Sequence, residues 1–277
     1  LEADNNSIFY PSTSVSFIPT AAFDGLKSNF LNYLKLRAGY GSSAGFPPTY
    51  TTRTNLSLNG NLFVDQNFGN VSGNDTASLR GNPNLTPELV SEIEFGLDAK
   101  LWDNRIGLNA SVFKRTTTDL ITLRDLPPSE GFGFQYINAG DLENQGIELG
   151  LTADIFRNPD GFNWNIGVNF YADDPVITKL PDGVDRITIG GSALTADARN
   201  AAVAGQPYGV FLGTTVATDE AGNLLVDQNG NYVSTPDNDN VIGDPNIDYT
   251  ANFTTSFGYK NWRLGVDLAY RHGDDVY

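Results

Sequence analysis

The feature that most constrains this chain is an alternation of apolar and polar residues with a period of two. Ile93, Phe95, Leu97, Ala99 and Leu101 are apolar, whereas Glu92, Glu94, Gly96, Asp98 and Lys100 between them are polar or small. After Trp102-Asp103-Asn104-Arg105 the parity switches, and the apolar set becomes Ile106, Leu108, Ala110 and Val112. A period of two places every second side chain on one face of a strand, so this segment reads as an antiparallel hairpin. The same object recurs over 147–155 and 162–170, around Asn158-Pro159-Asp160-Gly161, and over 249–259 and 262–270, around Lys260-Asn261. A single strand of the same kind carries Leu34, Leu36, Ala38 and Tyr40. No stretch shows a 3.6-residue period, and the fold class that follows is all-β with antiparallel pairing.

The connections are lopsided. Three turns are tight, whereas the segments at about 41–91, 115–146 and 171–248 are long, polar and rich in Gly, Asn, Asp, Ser, Thr and Pro. Long helix-free loops are unusual within soluble domains. An outer-membrane barrel has this asymmetry built in, with short periplasmic turns and long extracellular loops. Alternation alone leaves open which way the apolar face points, because a sandwich buries it and a membrane barrel shows it to lipid. Strands of nine or more residues exceed the usual five or six and approach the ~9–11 that cross a tilted bilayer. Trp102, Phe156, Phe162, Tyr259 and Trp262 sit beside the short turns, where an interfacial girdle places its rings. These features favour a transmembrane β-barrel. The alternatives are a soluble extracellular β-sandwich that binds glycans and a smaller self-contained membrane barrel.

Composition narrows the chemistry. In 277 residues, 33 Asp and Glu face 17 Lys and Arg, a formal charge of −16 that repels nucleic acid. The absence of cysteine removes disulfides, thiol catalysis and Cys-ligated zinc, and His272 is the single imidazole. No run approaches the ~18 apolar residues of a spanning helix. With 17 Phe, 12 Tyr and 3 Trp, the chain is too aromatic for disorder. A sequence without any methionine is expected to be a portion of a longer translated protein.

Several motifs carry a sharper and a plainer reading. Gly41-Ser42-Ser43-Ala44-Gly45 matches the G-x-S-x-G nucleophile elbow, with His272 as a conceivable base. The elbow must lead into a helix, yet Phe46-Pro47-Pro48 follows, so a flexible loop is the expectation and no catalytic residue is assigned. Asp227-Gln228-Asn229-Gly230-Asn231, with Asp237 and Asp239 beyond, hints at calcium. Its glycine stands fourth rather than sixth and no glutamate closes the loop, so a β-turn is preferred and calcium in an extracellular loop is the lesser alternative. The polar parity carries Glu92, Glu94, Asp98, Lys100, Glu148, Asp154, Arg263, Asp267 and Arg271, read as solvated lumen lining before substrate contacts. Phe132, Phe134, Tyr136, Tyr208 and Phe211 in the loops suit sugar stacking or hairpin packing equally. The sequon Asn74-Asp75-Thr76 matters only in a eukaryotic secreted protein.

Local strings go beyond alternation. Asn82-Pro83-Asn84-Leu85-Thr86-Pro87-Glu88, Glu92-Ile93-Glu94-Phe95-Gly96, Asn138-Ala139-Gly140-Asp141, Asn144-Gln145-Gly146-Ile147-Glu148 and Ile242-Gly243-Asp244-Pro245-Asn246 follow one another in order. Together with 34–41 and the terminal Gly273-Asp274-Asp275-Val276-Tyr277, this set resembles the SusC/RagA-type TonB-dependent outer-membrane transporters. Ile247 departs from the pattern, where the family commonly has a second proline. The resemblance implies about ten strands of a 22-strand barrel, cut from its C-terminal half, with the plug and the TonB-contacting segment absent. It further implies import of oligosaccharides or peptides across the bacterial outer membrane. The partners it implies are a SusD-like surface lipoprotein, the TonB complex through the missing N-terminal part, and outer-membrane lipid and lipopolysaccharide. No cofactor, metal or enzymatic role is expected, and the substrate-binding residues stay unassigned.

Overall fold

A computed structural model describes residues 1–2, 5–65, 69–158, 160–195, 198–235 and 239–276. Its main element is an eight-stranded sheet, referred to below as the wall. The wall strands are β1 (Ser12–Phe17), β2 (Leu31–Gly45), β3 (Glu88–Leu101), β4 (Ile106–Thr118), β5 (Asp141–Phe156), β6 (Phe162–Lys179), β7 (Ile247–Tyr259) and β8 (Trp262–Gly273). Each pairs antiparallel with the next in chain order, so the wall is an up-and-down meander with β1 and β8 as its edges. The sequence suggested about ten strands; eight form the sheet, and the long loops fold short strands of their own.

Register explains the alternation. One row across the sheet reads Leu34, Ala99, Leu108, Leu151, Val168, Phe253 and Leu268. One residue further along β2 the row reads Lys35, Asp98, Asn109, Gly150, Asn169, Asn252 and Ala269. Directly paired residues share a face, so one face of the wall is apolar and the other polar. Among the described residues no second layer covers the apolar face: Leu149, Leu151, Phe253, Val266 and Leu268 are exposed. Leu97, Leu108 and Val168 are only half-buried. A soluble sandwich, which would close a core over these side chains, is therefore the wrong architecture.

The apolar face is bounded at both ends. At the short-turn end Phe30 and Trp102 meet edge-on at 5.1 Å. Phe156, Trp164, Phe257 and Phe162 form a continuous stack beside them. At the opposite end Phe170, Tyr249, Tyr270 and His272 form a second cluster, and the row Lys114, Gln145 and Asp174 turns the same face polar. Along β7 from Tyr259 to Tyr249, a strand rising ~3.3 Å per residue and tilted ~40° climbs roughly 25 Å. That is the height of the apolar band on an outer-membrane barrel. The turn between β3 and β4 holds Trp102, Asp103 and Asn104 all in the left-handed region. Such backbone is rare for tryptophan. It is secured by the Trp102 amide donating to the Phe30 carbonyl at 2.9 Å and the Asn104 amide donating to Asn32 Oδ1 at 2.8 Å.

The long connections are shorter than the sequence suggested, because β2 runs to Gly45, β4 to Thr118 and β6 to Lys179. They fold into a cap at one end of the wall. Ile121–Asp125 pairs with Phe134–Asn138, which in turn takes Leu79–Arg80 as a parallel neighbour from a different loop. Arg186–Thr195, Ala198–Val203, Val210–Gly213 and Asn240–Gly243 form a four-stranded sheet. Here lies the buried apolar core: Ala139, Ile177, Leu180, Ile187 and Ala202 in one cluster, and Ala201, Val210 and Leu212 in another.

Candidate functional site

The polar face of the wall is a network of paired charges. Arg115 Nη2 lies 2.6 Å from Glu92 Oε2. Arg37 reaches both Glu94 and Asp98 at 3.8 Å, and Lys35 lies 3.7 Å from Asp98. Asn109 donates to Asp98 and Asn165 to Asp154 across neighbouring strands. Gly96 is what lets Arg37 lie flat, since a Cβ there would fall 2.2 Å from Arg37 Nε. These groups are partly solvated, so each pair contributes only about 0.2–1 kcal/mol. Their larger effect is to hold charged side chains flat against the wall. Glu148, Asp267, Arg263 and Arg271 occupy the same face through their pairing with Tyr171, Thr254, Gly258 and Thr250. Lys100, paired with Gly107, is exposed on it as well.

A second feature of this face breaks the alternation. Phe113 follows Val112 and Tyr171 follows Phe170, so each adds an aromatic ring to the polar parity. The two rings stack at 6.3 Å with planes 17° apart, and the Arg115 guanidinium sits 5.6 Å from the Phe113 centroid. Gly146 makes room, because a Cβ there would fall 2.5 Å from Phe113 Cζ. Sequence reading missed this platform, although two consecutive apolar residues inside an alternating strand were the available signal. Beside it, Ser12, Ser14, Gly39, Glu92, Glu94 and Arg115 line a hollow of about 700 Å³. Further along, Asn109, Glu148, Gly150, Asn169 and Asn252 line another of about 360 Å³.

The short strings noted in the sequence act as rivets between the cap and the wall's rim. Asn138 Nδ2 donates to the carbonyls of Thr86 and Asp119 at 3.0 and 2.8 Å, while its Oδ1 accepts from the Thr86 amide at 3.0 Å. Asn82 Nδ2 donates to the Tyr136 carbonyl at 2.9 Å, and Leu85 beside it is fully buried. Glu88 Oε2 accepts from the Ile121 amide at 2.9 Å. Gly140 has φ +120°, and a Cβ would lie 2.0 Å from the Lys179 carbonyl oxygen, so only glycine fits. Asp244 and Asp275 lock the start of β7 to the end of β8, with the Asp244 amide donating to Asp275 Oδ2 at 2.8 Å. Asn246 Nδ2 donates to the Tyr208 carbonyl at 2.9 Å.

The other motifs find plainer places. Gly41–Gly45 belongs to β2 rather than to a flexible loop, and Ser42 Oγ donates to the Pro11 carbonyl at 2.8 Å. His272 is on β8, six strands across the wall and roughly 30 Å away at ~4.8 Å per strand. Its ring stacks on Tyr249 at 5.1 Å and Nδ1 lies 3.0 Å from Asp248 Oδ2, so no nucleophile–base pair forms. Asp227 accepts the amides of Asn229 and Asn231, both at 2.8 Å, in a turn with Gly230 at φ +84°. Asp239 is bound between Arg186 and Arg199, and Asp237 lies outside the described residues. Phe211 is buried and Tyr208 packs on the cap core, so neither offers a free ring. Burial pushes the Tyr208 phenol above its ordinary value, with the Thr122 hydrogen bond partly offsetting the rise. Phe132, Phe134 and Tyr136 are half-buried, the latter two within a cap strand. The Asn74-Asp75-Thr76 sequon ends a loop hairpin.

Comparison with known proteins agrees with this architecture. Residues 2–275 match the family described as TonB dependent receptor-like, beta-barrel. TonB-dependent receptor P3 of Formosa agariphila is 32% identical, covering 99% of this chain and 30% of its own length. TonB-dependent receptor P26 of the same organism is 28% identical, covering 99% and 29%. Among solved structures, the RagAB peptide transporter superposes with a TM-score of 0.78 at 25% identity, over 98% of this chain and 30% of that one. The chain thus spans about 30% of the length of the relatives it matches. It belongs to the TonB-dependent receptor β-barrel family, is of the SusC/RagA type, and forms part of a barrel wall in the bacterial outer membrane.

Proposed function

We propose that this chain is the wall and outer loops of a TonB-dependent importer that carries oligosaccharides or peptides across the outer membrane. The observation that carries the reading is the two-faced wall: an apolar band of bilayer height on one side, and on the other paired charges with a stacked aromatic platform. On this reading the apolar face meets lipid and lipopolysaccharide, the short aromatic turns face the periplasm, and the cap faces outward. The part played is binding and passage rather than catalysis. Phe113 and Tyr171 present a ring surface on which a sugar ring or a side chain can stack, while Glu92, Glu148 and Arg115 supply hydrogen bonds at its rim. The paired charges leave the lumen wet and without a strong single-sign field. Energy for release comes from the TonB complex acting through an N-terminal part, and a SusD-like lipoprotein closes over the cap.

Deleting the full-length gene and measuring uptake of labelled oligosaccharides and peptides tests the reading. Loss of uptake for one class is expected. Unchanged uptake of every candidate overturns it.

A further inference from the structure

Arginines in the outer loops are, with one exception, neutralised by carboxylates. Arg53 is ion-paired with Glu2, Arg80 with Glu130, and Arg186 and Arg199 both with Asp239. Arg124 has no such partner among the described residues: its Nη2 donates to the neutral Gln135 Oε1 at 3.3 Å, and its Nε is buried without an acceptor. The strand that carries it sets its direction. Arg124 pairs with Gln135 and Thr122 with Ile137, so alternation places Arg124 and Ile137 on one face. Asp125, the adjacent carboxylate, belongs to the other.

Arg124 borders a hollow of about 320 Å³, within the size range of small-ligand sites. Ile137, Val184, Ile187 and Pro181 give the hollow an aliphatic lining, the first three packed into the cap core. Asn82 and Asn138 also border it, but their side-chain amides are already bound to the backbone of Tyr136, Thr86 and Asp119. Asn84 is exposed at the rim and engages Asn82 through its backbone amide alone, which leaves its side chain available. Asp182 and Asp185 are exposed on the turn that brings Pro181 and Val184 to the hollow, so no ion pair has to break for an anion to reach Arg124. A half-buried guanidinium binds a carboxylate through charge-assisted, commonly bidentate hydrogen bonds. No aromatic ring lines the hollow among the described residues, so it gives a sugar no face to stack on, whereas branched aliphatic walls suit an aliphatic side chain. A peptide C-terminus carries carboxylate and side chain on a single Cα. An internal acidic residue carries the carboxylate without the apolar branch.

We infer that this hollow is a peptide subsite in the cap, where Arg124 and Asn84 hold a free C-terminal carboxylate and Ile137, Val184 and Ile187 take the aliphatic side chain of the last residue. The inference rests on the import reading above and narrows its cargo to peptides with such an end. The test uses the purified full-length receptor in detergent, where binding is read without transport. The probe is a tetrapeptide of three glycines and a C-terminal leucine, labelled at its N-terminus and followed by fluorescence anisotropy. The free acid is expected to bind at least tenfold more tightly than its C-terminal amide, and a glycine in place of the leucine to weaken the acid. Arg124→Gln is expected to bring the acid down to the level of the amide, while Arg124→Lys, which keeps the charge but not the fork, retains part of the preference. Heat-modifiable mobility checks that each variant is folded; if Arg124→Gln is not, Arg124→Lys and the contrast between acid and amide on the unaltered receptor decide. Equal binding of acid and amide, or a preference that survives Arg124→Gln, overturns the inference and leaves the import reading standing. So does trigalacturonate bound through Arg124 in place of the peptide, which would make the hollow a uronate site. A receptor that binds neither probe loses the inference alone if gene deletion still abolishes uptake of one class, and both readings if uptake of every candidate is unchanged.

Discussion

The wall and the cap solve the burial problem in opposite ways. The wall has eight strands and leaves Leu149, Leu151, Phe253 and Leu268 uncovered, because the bilayer is the solvent for that face. The cap is smaller and more irregular, yet it contains Ile187, Val210 and Leu212, all nearly inaccessible. A barrel wall thus depends on its hydrogen-bond ladder and on lipid, whereas the loops above it depend on packing as a water-soluble domain does. Substitutions should separate the two regimes.

The largest effect is expected in the cap. Leu212→Ala removes a side chain that is 1% exposed and leaves a cavity beside Val210 and Ala201, at a cost of about 2–5 kcal/mol. Limited proteolysis of the receptor in intact outer membranes should then cut within 180–246 while the wall keeps its heat-modifiable mobility. If wall and loops are lost together, the cap is not an independent packing unit. The wall is probed by Leu151→Arg, a cation near the middle of the lipid face, expected to cost about 2–4 kcal/mol in urea unfolding. Thr152→Arg, one residue on and facing the lumen, should cost far less. Equal costs would erase the distinction between the faces.

The same contrast decides what the sequence revealed. In the wall, Ile93, Phe95 and Leu97 lie two apart and meet one environment, so their pattern survives in one dimension and gives strand, turn and face. Beneath the cap, Ala139, Ile187 and Ala202 meet Ile177 from the outer end of β6, four separate segments in all. Packing of that kind has no period, and the segments therefore read only as polar loops. The rivets were legible as strings without a purpose: Asn138 stands out in Asn138-Ala139-Gly140-Asp141, but its partners Thr86 and Asp119 are distant in sequence. Phe113 and Tyr171 were hidden for the converse reason, since each violates the rule that located its strand.

Asn138 tests whether the rivets join cap to wall. Asn138→Ala deletes three hydrogen bonds at a partly buried junction and strands the Thr86 amide and carbonyl, at about 1–3 kcal/mol. Hydrogen exchange should rise over 80–88 and 119–122 and stay unchanged at the short-turn end. A rise confined to residue 138 itself would reduce the rivet to a local turn.

The smallest effect concerns the exposed module at residues 215–235, where the Leu225 amide donates to Ala217, Val233 to Leu225 and Ala217 to Val233 in a closed ring, and neither lipid nor a core contributes. The Asp219 carboxyl is held below its ordinary value by the Asn223 side chain and amide, and Asp227 chiefly by the Asn231 amide. A carboxyl depressed in the folded turn and ordinary in the open one favours the turn at any pH above the ordinary value near 3.8. That preference fades as pH falls through the lower folded value, since protonation then removes the negative charge that strengthens the bonds to the turn amides. Amide exchange at Asn223 and Asn231, corrected for its intrinsic pH dependence, should therefore stay slow from neutrality to mild acid and quicken only below the ordinary carboxylate range. Asp227→Asn should abolish that acid transition at Asn231 while leaving the one at Asn223. Loss of both would mean that the closed ring of backbone bonds through Ala217, Leu225 and Val233 depends on each turn, making the module one cooperative unit rather than two caps on a common frame.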